Sequence, residues 1–294
     1  MRRQVVTLLP IVREHVNDLH QHGFSIVRDA LPAQTVADLD KDLAGRFSAT
    51  PFGKGGFYGE TTKRFGRLLI RSPRATELVS HPLVCRIVDT LLLPWCDCVQ
   101  LNTTQAIAVH PRAPAQLPHR DQDMWAAPKG EIEYLVNVMW PLTHFTAENG
   151  ATRIWARSHG AAALEPIGDT EPFAAEMAPG SALIFLGSTL HAAGANRSSF
   201  VRRGIVVGYA LGWLKPYENQ WLAYPPEIAR SFSPDLAALV GYRQHRPNLG
   251  NFEGQCPSVL LKDDAQPDCP RAAIDALRPD QAAMVATFAG EARQ

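Results

Sequence analysis

The chain has 294 residues, of which 46% are hydrophobic and 20% are charged. This composition is typical of a globular protein with ample apolar material for a core. The 29 basic and 29 acidic residues give a formal net charge of zero, which argues against nucleic acid or an anionic membrane surface as a partner.

The sequence shows neither an evident membrane span nor a signal peptide. No apolar run approaches the length of a transmembrane helix, and the apolar segment after the basic residues at positions 2 and 3 is too short for an export signal. The five cysteines include no C-x-x-C pair, which favours reduced thiols over a zinc or disulfide framework. We therefore expect a cytoplasmic protein.

The first third of the chain has the apolar periodicity of helices. Helices are predicted over residues 11–21, from Pro32 onward, and over Pro82–Leu92. A short strand is expected at 23–28. Residues 51–58 combine glycines with aromatic residues, which predicts a loop.

From position 99 onward the pattern is that of short strands bounded by Pro, Gly and Asn turns. The predicted strands are Val99–Val109, 132–140, 151–155, Ala182–Leu186 and 204–213. Many short strands with such turns favour a sandwich or jelly roll over alternating strands and helices. An irregular tail follows from Tyr224, with a closing helix at 279–292. No linker or repeat is evident, so we expect a single domain over 1–294 with a β core at about 99–213.

The strand-rich region contains a candidate metal site. His119 and Asp121 stand two residues apart, and on a strand positions i and i+2 face the same side. His191 follows an apolar strand later in the chain. Two histidines and one carboxylate on one face form the triad that holds non-haem Fe(II) and leaves positions for substrates and dioxygen. We therefore predict that His119, Asp121 and His191 bind a metal.

An arginine lies eleven residues after the last predicted ligand. Arg202 begins a predicted strand, and a guanidinium near an Fe(II) site can pair with a carboxylate of a diacid co-substrate. Arg203 is the alternative, because a slip of one residue would turn its side chain inward instead.

Four segments together resemble the phytanoyl-CoA dioxygenase family. They are PAQLPHRDQD from Pro114, ENGATR from Glu148, PGSA from Pro179 and HAAGANR from His191. The motifs occur in the family's order, and the resemblance extends from about residue 23 to residue 213. A Lys63-Arg64 pair and the residues after it are similar to the branch that acts on secondary metabolites.

The resemblance implies a double-stranded β-helix, the cupin-like jelly roll, with flanking helices. It implies Fe(II) held by His119, Asp121 and His191, with 2-oxoglutarate as co-substrate and dioxygen as oxidant. Arg202 matches the residue that pairs with the far carboxylate of 2-oxoglutarate. Residues matching polar contacts to the co-substrate are Gln116 and Thr152.

The expected activity is oxidation of an unactivated C–H bond in a small, largely apolar molecule by hydroxylation, desaturation or rearrangement. No basic cluster suited to a CoA phosphate is evident in the sequence. The alternatives are a 2-oxoglutarate-independent isomerase of the same fold and a non-catalytic binding protein. Loop 51–58 and the tail after Tyr224 are expected to cover the site, and the sequence leaves a homodimer open. Candidate pocket residues are Phe57, Tyr58, Met124, Trp125, Trp140 and Trp213.

Overall fold

The computed structural model describes residues 2–166, 170–263 and 266–291. Nine strands lie in these ranges and form two antiparallel sheets. They are β1 (Phe24–Val27), β2 (Thr62–Phe65), β3 (Val99–Val109), β4 (Leu135–Pro141), β5 (Thr152–Ile154), β6 (Phe173–Ala174), β7 (Ala182–Leu186), β8 (His191–Ala193) and β9 (Arg202–Leu211). The larger sheet has the order β1-β7-β4-β9-β3-β2, and the smaller has the order β6-β5-β8. Two facing antiparallel sheets with flanking helices confirm the predicted jelly roll.

Helices cover the outer face of the larger sheet and extend through the tail. They are α1 (Arg2–His22), α2 (Ala33–Ala49), α3 (Ala75–Val79), α4 (Pro82–Leu92), α5 (Gln220–Ala223), α6 (Pro226–Ala229), α7 (Pro234–Leu239) and α8 (Pro279–Glu291). Short 3₁₀ turns also occur, one of them at Asp121–Met124. The helical layer leaves the opposite face of the larger sheet free to meet the smaller sheet.

The larger sheet is buried on both faces, and β9 shows how the two cores divide. Ile205, Val207 and Tyr209 point outward into a core shared with the helices. The alternate residues face the smaller sheet, where Phe145 and Phe185 belong to a second apolar core. Because side chains alternate along a strand, one strand serves both cores. The functional cavity lies on the inner side, between the sheets.

Prediction and structure agree best for the long elements. Helix α4 and strands β3 and β7 have the predicted bounds, while β4 begins at Leu135 and β9 at Arg202. The sequence analysis missed β2, β6 and β8, which have two to four residues and too little pattern to be read alone. It was wrong in treating the segment after Tyr224 as irregular, because α6 and α7 lie there. The predicted end of the last helix, position 292, lies outside the described residues.

The prediction that no apolar run approaches transmembrane length is wrong. The stretch Ala75–Trp95 is long and apolar enough to cross a membrane by length and composition alone. In the structure it is divided between α3 and α4, with an extended residue, His81, between them. Within α4, Val84, Ile87 and Leu92 are fully buried in the core beneath the larger sheet. The apolar character of this stretch is therefore that of a core helix.

Strand β9 requires glycine at position 204. A Cβ atom there would lie 2.6 Å from Cζ of Phe145 and 3.1 Å from the carbonyl oxygen of Trp140. Gly45 is a matched control, because a Cβ atom on it would meet nothing within 4 Å in helix α2. We predict that Gly204→Ala lowers the free energy of unfolding by about 1–3 kcal/mol through overpacking. Gly45→Ala should be neutral or raise it by up to about 1 kcal/mol.

Urea denaturation of both variants measures these two changes against the wild-type chain. Equal stability of the two variants would mean that the contact with Phe145 does not constrain β9.

Candidate active site

A cavity of about 120 Å³ lies between the two sheets. Its walls come from β3, β4, β7 and β9 of the larger sheet and from β5 and β8 of the smaller one. All six residues assigned a site role from the sequence line it: Gln116, His119, Asp121, Thr152, His191 and Arg202. Residues that are far apart in sequence therefore meet in one place.

A reciprocal pair of backbone hydrogen bonds brings the two histidines together. The amide of His119 donates to the carbonyl of His191 and the reverse bond has the same length, 3.0 Å. The ring centroids are consequently only 4.4 Å apart. Each Nδ1 lies within hydrogen-bond distance of a backbone carbonyl, that of Leu117 at 2.9 Å and that of Thr189 at 3.1 Å. A carbonyl can only accept, so each Nδ1 carries the proton and each Nε2 has a free lone pair.

Both Nε2 atoms face Asp121. The distances are 3.4 Å from His119 to Oδ1 and 3.5 Å from His191 to Oδ2. The prediction that Asp121 and His119 lie on one strand is wrong. His119 forms an isolated bridge to His191, and Asp121 is the first residue of a 3₁₀ turn. This turn brings the carboxylate back toward the imidazoles in place of strand alternation.

A neighbouring amide holds the carboxylate in this orientation. Nδ2 of Asn137, on β4, donates to Oδ2 of Asp121 at 2.8 Å. A Cβ atom at position 208 of β9 would lie 3.2 Å from Oδ1 of Asn137, so Gly208 leaves room for this side chain. Asn137 was not identified from the sequence, because a polar residue inside an apolar strand gives no indication of its partner.

The ionisable groups of the cluster influence one another. Burial raises the pKa of Asp121, but the two histidines and the amide of Asn137 outweigh it and leave the pKa lowered. Burial lowers the pKa of His191, and the charge of Asp121 only partly offsets this. Burial also lowers the pKa of His119, yet hydrogen bonding and attraction to Asp121 raise it above its ordinary value. Asp121 is therefore held as a carboxylate between two imidazoles.

The three ligand atoms suit a divalent metal ion. One nitrogen of each histidine and one oxygen of Asp121 all lie within 4.8 Å of one another. Two imidazoles and one carboxylate are the donors of the facial triad of non-haem iron enzymes. The Nδ1 hydrogen bonds and the amide of Asn137 are outer contacts of the kind that orient metal ligands. The residues present therefore fit Fe(II).

The structure also separates the two candidate arginines. Arg202 is only 4% exposed and lines the cavity, with Nη1 donating to the carbonyl of Gly150 at 2.6 Å. Its guanidinium lies 4.5 Å from the ring centre of Phe145, and its Nε has no hydrogen-bond partner. Arg203 points the other way and pairs with Asp40 of α2 at 2.6 Å. Arg202 is therefore the arginine that faces the cluster.

Arg202 has no carboxylate partner within 4 Å among the described residues. Burial, followed by repulsion from Arg64, lowers the pKa of Arg202 to about 9. A buried guanidinium without an anion is costly in free energy. The cavity is thus prepared for an anionic ligand.

Gln116 and Thr152 flank the path from the histidines to Arg202. Oε1 of Gln116 accepts from the amide of Ala193 at 3.3 Å, and its Nε2 donates to the carbonyl of Phe57 at 3.3 Å. Thr152 is buried and pairs with Ala193 across β5 and β8. Both side chains line the cavity and can contact a ligand held there.

Strand β3 contributes polar cavity residues that the sequence analysis missed. The register shifts between Leu101 and Thr103, and such a bulge re-aims the side chains beside it. Asn102, Thr103 and Gln105 consequently line the cavity. The signal in the sequence was a run of polar residues within an otherwise apolar strand.

The predicted loop 51–58 does lie over the cluster. The ring of Phe57 lies 4.9 Å from that of His119, and the hydroxyl of Tyr58 shares a 2.5 Å hydrogen bond with that of Tyr217. The tail was assigned wrongly: in the described ranges, nothing after Tyr217 lines the cavity. The segment between β9 and α5 supplies that wall instead.

Half of the predicted pocket residues line the cavity, namely Phe57, Tyr58 and Met124. The three tryptophans do not. Trp140 is 1% exposed and packs against His81, and the indole nitrogens of Trp125 and Trp213 donate to the carbonyls of Lys215 and Trp95. These tryptophans therefore have packing roles.

Comparison with known proteins places this geometry in context. The family model described as phytanoyl-CoA dioxygenase (PhyH) matches residues 19–204. The dioxygenase aneA of Aspergillus aculeatus is 32% identical over 244 residues, which cover 76% of this chain and 80% of the relative. The dioxygenase trt7 of Aspergillus terreus is 29% identical over 253 residues, covering 83% and 87%.

Solved structures share the fold at low sequence identity. The non-haem α-ketoglutarate-dependent epimerase SnoN from nogalamycin biosynthesis superposes with a TM-score of 0.58 at 16% identity, covering 69% of this chain and 84% of its own. HygX from Streptomyces hygroscopicus, with nickel and 2-oxoglutarate bound, gives 0.56 at 13% identity, covering 70% and 89%. These likenesses support the jelly-roll fold.

Proposed function

Because the chain belongs to the phytanoyl-CoA dioxygenase family, we propose that it is an Fe(II)- and 2-oxoglutarate-dependent dioxygenase acting in secondary metabolism. Its reaction is oxidation of an unactivated C–H bond in a small molecule with a largely apolar skeleton. The observation that carries the proposal is the meeting of His119, Asp121 and His191 with the unpaired, buried Arg202 in one cavity.

In this proposal His119, Asp121 and His191 hold Fe(II) from one side. When bound, Fe(II) would allow dioxygen to oxidise a C–H bond, with 2-oxoglutarate converted to succinate and carbon dioxide. The protein's own residues orient the metal ligands. The Nδ1–H bonds fix both imidazoles, and Asn137 fixes the carboxylate.

Arg202 binds the far carboxylate of 2-oxoglutarate. Its Nη1 is held by the carbonyl of Gly150 and its plane rests on Phe145, so the free Nε side has a fixed direction. A charge-assisted hydrogen bond to a preorganised guanidinium is among the stronger polar contacts in proteins. Gln116 and Thr152 complete the polar wall, while Phe57 over His119 limits the access of water.

Two rival functions are less well supported. A 2-oxoglutarate-independent isomerase with this cluster would have no use for a buried guanidinium such as Arg202. A non-catalytic binding protein would need neither the metal cluster nor the arginine. Among the structural neighbours, SnoN is an epimerase and SnoK a carbocyclase, and both are α-ketoglutarate-dependent. The position of the substrate carbon relative to the metal then selects among hydroxylation, desaturation and rearrangement.

The first prediction concerns the metal and co-substrate together. Under anaerobic conditions, Fe(II) and 2-oxoglutarate should give the wild-type protein a visible charge-transfer absorption, and dioxygen should bleach it with formation of succinate. His119→Ala, Asp121→Ala and His191→Ala should each lose the absorption and the succinate, because each removes one ligand. Circular dichroism checks that each variant keeps its fold.

His159→Ala is the matched control, since this histidine is partly buried outside the cavity and its side chain hydrogen-bonds to the carbonyl of His20, away from the metal cluster. It should retain the absorption. Wild-type protein that binds Fe(II) but forms no succinate under any condition would favour the isomerase or the binding protein.

The second prediction tests the support of the carboxylate ligand. Asn137→Ala should weaken Fe(II) affinity about 10–100-fold, as expected when an outer contact to a metal ligand is removed. Asn102→Ala removes another cavity amide, one that accepts from the backbone of Tyr217 and does not contact Asp121. Equilibrium dialysis under anaerobic conditions compares the two. An equal loss in both variants would point to general damage to the cavity.

The third prediction concerns Arg202 and its neighbour. Arg202→Ala should weaken 2-oxoglutarate binding by roughly 2–5 kcal/mol while Fe(II) binding persists, because the far carboxylate loses its partner. Arg203→Ala should leave 2-oxoglutarate binding unchanged and act on stability instead, through loss of the contact with Asp40. Titration of 2-oxoglutarate into the Fe(II)-loaded variants measures both. The reverse pattern would exclude Arg202 as the anchor.

A further inference from the structure

A second, larger cavity shares a wall with the first. It has a volume of about 730 Å³. The shared residues are Tyr58, Arg64, Gln105 and Tyr217. Ligand pockets typically occupy about 300–1,000 Å³, so the 120 Å³ cavity over the metal cluster is too small for a co-substrate and a further organic molecule. The neighbouring cavity has the space that the further molecule requires.

Four arginines line this second cavity, which we call the arginine chamber. They are Arg46, Arg64, Arg67 and Arg71. Within the described residues, none of their guanidinium groups lies within 4 Å of a carboxylate oxygen. No basic cluster is evident in the sequence because these arginines are spread over 26 positions. They come from α2, β2 and the segment after β2.

Glu218, the one carboxylate among the described residues of the chamber wall, offsets the charge of the four arginines only in part. Glu218 accepts hydrogen bonds from the backbone amides of Arg67 at 2.9 Å and Thr104 at 3.3 Å. Burial lowers the pKa of Arg71, and repulsion from Arg46 and Arg67 lowers it further, while Tyr224 and Glu218 offset this only in part. The guanidinium groups are thus close enough to repel one another, and the chamber carries an excess of positive charge.

Arg64 connects the chamber with the metal cluster. It lines both cavities, its Nη1 donates to Oε1 of Gln105 at 3.1 Å, and its guanidinium lies 5.6 Å from the ring centre of Tyr58. Its Nε is buried without a hydrogen-bond partner. The hydrogen-bonded hydroxyls of Tyr58 and Tyr217 form the rest of the partition.

We infer that the molecule oxidised by this enzyme carries an anionic group, a carboxylate or a phosphate, which the arginine chamber binds. The rest of the molecule then reaches the metal cluster between Tyr58 and Tyr217, whose mutual hydrogen bond opens to admit it. This inference rests on the proposed function and narrows its substrate class. It adds one anionic group to the small, largely apolar substrate expected from the sequence.

The test uses three probes with the same apolar chain: octanoate, octyl phosphate and octan-1-ol. Each is titrated by calorimetry, without dioxygen, into protein loaded with Fe(II) and saturating 2-oxoglutarate, so that Arg202 is already occupied. At least one of the two anions should bind about tenfold or more tightly than the alcohol, because only an anion can pair with the guanidinium groups. The stronger of the two anions identifies the charged group.

Variants then locate the binding site. Arg67→Gln should weaken anion binding about tenfold, and the more exposed Arg46→Gln about threefold, without changing the binding of octan-1-ol. Arg46 is the safer variant, because its side chain makes no hydrogen bond or ion pair to any described residue. Arg86→Gln is the matched control, an exposed helical arginine outside the chamber. It should bind all three probes as the wild type does.

Two results would overturn the inference: equal affinity for the alcohol and both anions, or the same anion affinity in Arg46→Gln, Arg67→Gln and Arg86→Gln. Formation of succinate by the wild-type protein from 2-oxoglutarate alone, measured separately, reports on the proposed function. Normal succinate formation with no preference for anions would reject the arginine chamber and leave the dioxygenase assignment intact.

Discussion

The site depends on one pair of backbone hydrogen bonds, between His119 and His191. This bridge joins the segment before the 3₁₀ turn to the smaller sheet, and it sets both imidazoles side by side before any metal is considered. Backbone bonds of this kind fix position without using the ring nitrogens. The Nδ1 atoms then bond carbonyls two residues earlier in each segment, so the same local geometry selects the tautomer that leaves both Nε2 atoms free. Metal-binding capacity thus follows from chain pairing.

Strand β9 carries a second constraint, since it separates charge between the two faces of the sheet. Arg202 turns inward to the cavity, and Arg203 turns outward to Asp40 on α2. The ion pair outside therefore helps to set the register that places the guanidinium inside. Gly204 and Gly208 have no side chains on the inner face, which leaves space there for Phe145 and Asn137 respectively. A slip by one residue would exchange the arginines and fill the space that these glycines leave open.

Sequence pattern was sufficient for the long elements and for choosing six residues that line one cavity. It did not identify Asn137 or the polar cavity residues of β3, and it did not show how the six residues meet. Helix α4 and strands β3 and β7 have enough periodicity to be read alone, whereas β8 has three residues and depends on its neighbours. Asp121 lies beside both histidines as expected, but in a 3₁₀ turn and not on a strand, because a turn and a strand can both bring i and i+2 together. The register that separates Arg202 from Arg203, and the clustering of arginines from residues 46 to 71, arise only from tertiary packing.

The two cavities share one electrostatic feature, which is the presence of guanidinium groups that form no ion pair with a carboxylate of the described residues. Arg202 is buried with its Nε unpaired, and Arg64 both lowers the pKa of Arg202 and has an unpaired Nε of its own. Burial of such groups costs free energy in the ligand-free protein. Binding of an anion would recover part of that cost, and a ligand that binds only the folded state stabilises it by an amount set by its concentration and affinity. Asp121 is the exception, a carboxylate kept ionised between two imidazoles. The two cavities thus combine a carboxylate-containing cluster suited to a cation with guanidinium groups on either side of Arg64, for which we have proposed anionic ligands.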